Sequence, residues 1–74
     1  MTDLKIVIEK VEKEREELKE KIEKLEKMVS SEKFVKFDTE TRVQLITQLH
    51  HMTGYNSALI CRIAHMREML QKKE

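Results

Sequence analysis

The sequence predicts an all-α fold: an antiparallel two-helix hairpin of coiled-coil type that assembles into a homo-oligomer. Three observations lead there. The 74 residues include no proline and one glycine, Gly54, so the punctuation that short strands need is missing. Apolar residues recur at heptad spacing through two long segments, too regularly for a disordered chain. Charged side chains, 39% of the total, fill most other positions of the first segment at the i,i+3 and i,i+4 spacings that stabilise an exposed helix. A chain of this length holds one small domain, expected to span 1–74.

The first helix is expected over about residues 3–30, with a seam of Leu4, Ile8, Val11, Arg15, Leu18, Ile22, Leu25 and Val29. A hinge follows at about 31–38. There Ser31 can cap one short turn, while Phe34, Val35 and Phe37 are expected to plug the open end of the hairpin. The second helix is expected over about 39–73. Asp38 is its N-cap, Glu40 lies in its first turn, and Lys72 and Lys73 lie at its C-terminal end, each placement suiting the helix dipole. Its seam is Leu45, Leu49, Met52, Asn56, Leu59, Ile63, Met66 and Leu70.

Folding the second helix back on the first makes facing position numbers add to one constant. This holds for Val29 with Leu45, Leu25 with Leu49, Ile22 with Met52, Val11 with Ile63, Ile8 with Met66 and Leu4 with Leu70. Two seams in one register define an antiparallel hairpin. Arg15 and Asn56 are the polar exceptions, in adjacent layers facing Leu59 and Leu18. Polar seam residues commonly fix register or oligomeric state, so these two are expected to bond to each other or to Glu14, with a ligand role as the alternative.

Two helices bury only one stripe each, which makes a thin core and predicts association with copies or with a partner. One flank of the second seam carries Ile46, His50, Thr53, Ser57, Ile60 and Ala64, small or apolar enough to pack in an oligomer. The other flank carries His51, Tyr55, Ala58, Arg62 and His65. Gly54, Ala58 and Cys61 would let a neighbouring backbone approach, or leave room for a ligand.

Residues 1–36 balance ten acids with ten bases, whereas Thr41 to Arg67 contains no acid but three arginines and three histidines. An uncompensated basic stretch suits an anion held between subunits, and the planar arginine fork matches phosphate. The ordinary alternative is that these arginines bridge to acids on a neighbouring helix. The near-neutral total, 15 bases against 14 acids, gives no mandate for duplex DNA or RNA or for a membrane surface. No apolar run approaches the length of a membrane span or signal peptide. The lone Cys61 excludes an internal disulfide, fits a reducing cytoplasm, and is expected to be a buried small thiol.

Enzyme chemistry is not expected. His50 and His51 point about 100° apart and cannot easily share a metal ion, and Cys61 near His65 lacks an evident oxyanion hole. No phosphate loop, zinc-finger or RNA-binding signature is present, so no catalytic residue, metal or cofactor is assigned. Tyr55 and Arg62 differ in that they lie one heptad apart, within ~20° of the same direction, with the small Ala58 between them.

The stretch Ser31-Glu32-Lys33-Phe34, followed by Gln44 to Arg62, resembles small helical-hairpin proteins of bacteriophages, in particular the hairpin domains of anti-CBASS and anti-Thoeris proteins. The likeness rests on Thr47 and Leu49, the aromatic Tyr55, and the basic Arg62 a heptad later. The resemblance implies an oligomeric sponge, a hexamer in the best-described cases, that sequesters cyclic di- or trinucleotide messengers in the cytoplasm of an infected bacterial cell. It implies that Arg62 contacts phosphate and that Thr47 or Tyr55 helps form the pocket. The long charged first helix departs from the family pattern, as does the absence of a short N-terminal helix bearing a base-stacking aromatic. Two other readings stay open: a phage protein–protein inhibitor of a host defence complex, acting through the second helix, and a structural coiled-coil module.

Overall fold

The computed structural model describes residues 3–73, and Lys73 by its backbone alone. The expected domain limits at 1 and 74, and the charge expected of Lys73, lie outside the described residues and side chains. Three helices follow in order: α1 (Leu4–Val29), α2 (Glu32–Lys36) and α3 (Thr39–Lys73), with no strand among the described residues. α1 and α3 lie side by side in a rod of 55 × 18 × 14 Å, whose width accommodates two helices and no more.

The polar ends of the helices account for where they begin. Asp3 accepts a hydrogen bond from the Lys5 backbone N–H at 3.0 Å and caps α1. Asp38 accepts from the Thr41 N–H at 3.0 Å; the Thr41 side chain first, and this backbone bond second, hold its carboxyl below the usual carboxylate range. Ser31 precedes α2 but makes no side-chain cap bond; its hydroxyl instead donates back to the Met28 carbonyl at 2.6 Å. That closes the end of α1 rather than the start of α2. Phe34 and Phe37 are half-buried and meet edge to face, with centroids 6.5 Å apart. Val35 does not join them. It is 67% exposed, because in a single helical turn it points away from the two rings.

Every seam position of α1 and α3 is buried or half-buried, including Arg15 and Asn56. The core proper is Ile8, Val11, Leu59, Ile63 and Met66, flanked by Leu4, Val7, Leu18 and Leu70. It sits toward the chain termini. Toward the hinge only Ile22 is buried, and Leu25, Val29, Leu45, Leu49 and Met52 are half-exposed. Cys61 is exposed, contrary to the buried thiol expected, since two residues beyond Leu59 the helix has turned about 200° away from the seam.

Side-chain bonds across the hairpin, Tyr55 with Glu14 and Arg67 with Glu12, agree with its direction. With seam positions named a and d, Glu14 and Tyr55 each precede an a residue, and Glu12 and Arg67 each follow a d residue. Tyr55 donates to Glu14, and Arg67 pairs with Glu12. Like flank therefore meets like flank, as happens when one helix is reversed relative to the other. The polar layer is less tidy than expected. Arg15 Nε and Asn56 Oδ1 are buried without hydrogen-bond partners, and Glu14 is engaged by Tyr55 instead.

Leu59 is the most enclosed side chain, 1% exposed, so Leu59→Ala should destabilise the fold by about 2–5 kcal/mol in chemical denaturation. A much smaller loss would mean that the hairpin is not the cooperative unit. Cysteines at Ile22 and Met52, in a Cys61→Ser background, should crosslink within one chain. Crosslinks joining Ile22 to the first helix of another chain would overturn the fold.

Candidate functional site

The side chains singled out by sequence do not all converge. Thr47, Tyr55, Ala58 and Arg62 are all exposed and all on α3. Successive rotations of 100° keep them within one face, but rise separates them. Tyr55 and Arg62 are about 10 Å apart along the axis, a span that two long side chains and one ligand can bridge. Thr47 lies about 12 Å before Tyr55 in the opposite direction, so it is not in one site with Arg62 in a single copy. Tyr55, Ala58 and Arg62 form the compact group.

Tyr55 is the fixed member of that group. Its ring is 47% exposed while its hydroxyl is tied to the Glu14 carboxylate across the hairpin. Glu14 raises the phenol's pKa, first by accepting its hydrogen bond and then by its charge; Arg62 pulls the other way by its positive charge. The phenol thus lies within the electrostatic reach of both a carboxylate and a guanidinium. Among the described residues Arg62 makes no hydrogen bond or ion pair. The other arginines of α3 are engaged, Arg67 with Glu12 and Arg42 with the Thr39 hydroxyl at 3.3 Å. The expectation that α3 arginines bridge to acids on α1 holds for Arg67 and not for Arg62.

Sequence reasoning named Glu14 only as a partner for the polar seam layer and missed its place beside Tyr55. The stretch from Thr41 to Arg67 is free of acids, yet α1 presents one to its Tyr55 face. The signal was there in the heptad: Glu14 and Tyr55 occupy the same flank position on antiparallel helices.

A groove of about 370 Å³ lies on the opposite flank, between Glu12, Arg15 and Arg67 on its polar side and Ile60, Ile63 and Ala64 on its apolar side. Tyr55, Ala58 and Arg62 stand on open surface, outside that groove. Among the described residues no group of three or more His, Cys, Asp or Glu side chains converges as a metal site would require. No described helix is long and apolar enough to cross a membrane.

No curated protein and no solved structure gave a significant match. A family model described as Sequestin matches residues 5–65, most of α1, all of α2 and the larger part of α3 including Tyr55 and Arg62. With that much of the chain matched, the protein belongs to the Sequestin family.

Proposed function

We propose that this chain is a non-enzymatic sponge, a homo-oligomer that sequesters a cyclic di- or trinucleotide immune messenger for a phage in the cytoplasm of its bacterial host. The observation that carries this reading is that Tyr55 shares one exposed face of α3 with Arg62, which makes no hydrogen bond or ion pair among the described residues. Membership of a family whose name denotes sequestration supports it, since it points to binding rather than to chemistry. A phosphate meets the guanidinium, a base or ribose lies against the Tyr55 ring, and the small Ala58 leaves room between them. Thr47 would reach the same ligand only from a neighbouring copy.

Self-association supplies what one copy lacks. α3 leaves Val43, Ile46, Ile60 and Met69 exposed, so its apolar surface is not confined to the seam. Gly54 sits in mid-helix, where glycine costs about 1 kcal/mol relative to alanine, and a methyl there would meet nothing within 4 Å. Nothing within the hairpin requires that glycine, whereas a neighbouring backbone would. A second reading, an inhibitor that docks on a host protein, draws on the same exposed apolar residues. Ile60 decides between self and foreign use of them: Ile60→Glu should dissolve a homo-oligomer in light scattering. A wild-type chain that is already a folded monomer at micromolar concentration rejects the assembly.

The binding test is a thermal-shift panel of cyclic oligonucleotides. A ligand at a hundred to a thousand times its Kd should stabilise the protein by about 3–4 kcal/mol. Arg62→Ala should remove that shift, lowering affinity at least tenfold, while leaving circular dichroism and oligomer mass unchanged. Undiminished binding by an intact variant rejects the site; collapse of the assembly makes Arg62 an intersubunit salt bridge instead.

A further inference from the structure

We propose that Glu14 is a specificity-determining residue of the Tyr55–Arg62 site, accepting a hydrogen bond from a ribose hydroxyl or base amine of a bound nucleotide. This rests on the sponge reading and says which ligands that site takes. The geometry is the cross-hairpin bond: Tyr55 donates to the Glu14 carboxylate, so an acid from α1 borders the face that carries Tyr55 and Arg62. A carboxylate offers about four acceptor sites, and Tyr55 occupies one of them. No hydrogen bond or ion pair joins Glu14 to Arg62, and the register sets Glu14 level with the stretch between Tyr55 and Arg62, so a donor-binding group stands beside the anion-binding one on the same face.

A surface built only to hold phosphate gains nothing from that carboxylate. Its charge opposes an anion at Arg62, and α1 has lysines enough to have placed one there instead. The arrangement makes sense for a ligand that carries an anionic group, a planar ring and an N–H or O–H donor together. Nucleotides carry all three, and an acidic side chain that accepts from a ribose hydroxyl is a recurrent way of reading them. Bare polyanions lack the ring and the donor, so Glu14 selects against them. Tyr55 then has two tasks: its ring provides a face for the ligand, and its hydroxyl holds the Glu14 carboxylate in place.

The test compares wild type with Glu14→Gln by titration calorimetry, using cyclic tri-AMP, its 2′-deoxy counterpart, cyclic tri-IMP and inorganic tripolyphosphate. Cyclic tri-AMP should bind Glu14→Gln about tenfold or more weakly, since a charge-assisted bond is lost. Tripolyphosphate should bind the variant as well as or better than wild type, because a repelling charge is gone. In wild type, the analogue lacking the group that Glu14 reads should lose a similar factor: the deoxy form for a sugar hydroxyl, the inosine form for a base amine. That loss should vanish in Glu14→Gln. Equal weakening of all four probes, or unchanged selectivity, means that Glu14 only staples the helices, and overturns the inference while Arg62 stands. Failure of wild type to bind cyclic tri-AMP overturns this inference, and the sponge reading falls with it when the whole cyclic-oligonucleotide panel gives no thermal shift.

Discussion

The register of one apolar seam decides nearly everything else in this molecule. The eight seam positions of α1 and the eight of α3 are all buried or half-buried, and among the described residues of these two helices only Val7, Glu12, Thr41 and Arg42 join them from outside the seam. Because the helices run in opposite directions, reversing one of them brings like flanks together. That is why Glu14 meets Tyr55 on one side and Glu12 meets Arg67 on the other. A shift of one heptad would keep most apolar contacts yet separate both pairs. Exposed bonds of this kind add little stability, but they discriminate between registers that the apolar layers alone would tolerate.

The same seam explains which features could be read from sequence. Heptad spacing is a long-range pattern, repeated often enough to survive local noise, so the sixteen seam positions and the two long helices were legible. Single residues within short or ambiguous segments were not. Val35 belongs to a one-turn helix in which any two of three apolar side chains can face inward, and rotation left it outside. Cys61 was judged by its chemical type, whereas its position two residues from Leu59 determines its exposure. Ser31 stands where a cap of α2 would, yet its hydroxyl donates to the Met28 carbonyl at the end of α1. Glu14 was expected to serve the polar seam layer of Arg15 and Asn56, whereas its flank position in the heptad gives it Tyr55 instead. Of the candidate site, the pairing of Tyr55 with Arg62 was legible from their spacing, and the distance to Thr47 was overlooked because a shared face is not a shared site.

The polar layer illustrates a different limit. Arg15 and Asn56 lie in neighbouring layers and offer a donor and an acceptor, so a mutual bond was a reasonable expectation. The buried Nε and Oδ1 atoms are instead left without partners. Such atoms are costly in a finished core, and they accompany a core that is itself lopsided, dense toward the termini and half-open toward the hinge. These are the features that the assembly proposed above would complete. α1 supplies a solvated Glu/Lys coat, and α3 carries apolar side chains beyond its seam.

On the sponge reading, that incompleteness bears directly on affinity. A single copy offers a half-exposed ring and an exposed guanidinium on a convex surface, where water competes for every bond and screens every charge. Strong binding requires the ligand to be desolvated, and α3 alone has no walls around Tyr55 and Arg62 to do it. Neighbouring copies would supply those walls and, by symmetry, present one arginine per copy to a ligand whose phosphates also repeat. Once the first phosphate is held, the others meet their arginines at high effective concentration. The cyclic form of the ligand matters for the same reason, since a closed ring loses less freedom on binding than a linear strand. Affinity in such a design comes from the number of modest contacts made at once, which explains how so small a chain could bind tightly without a deep pocket of its own.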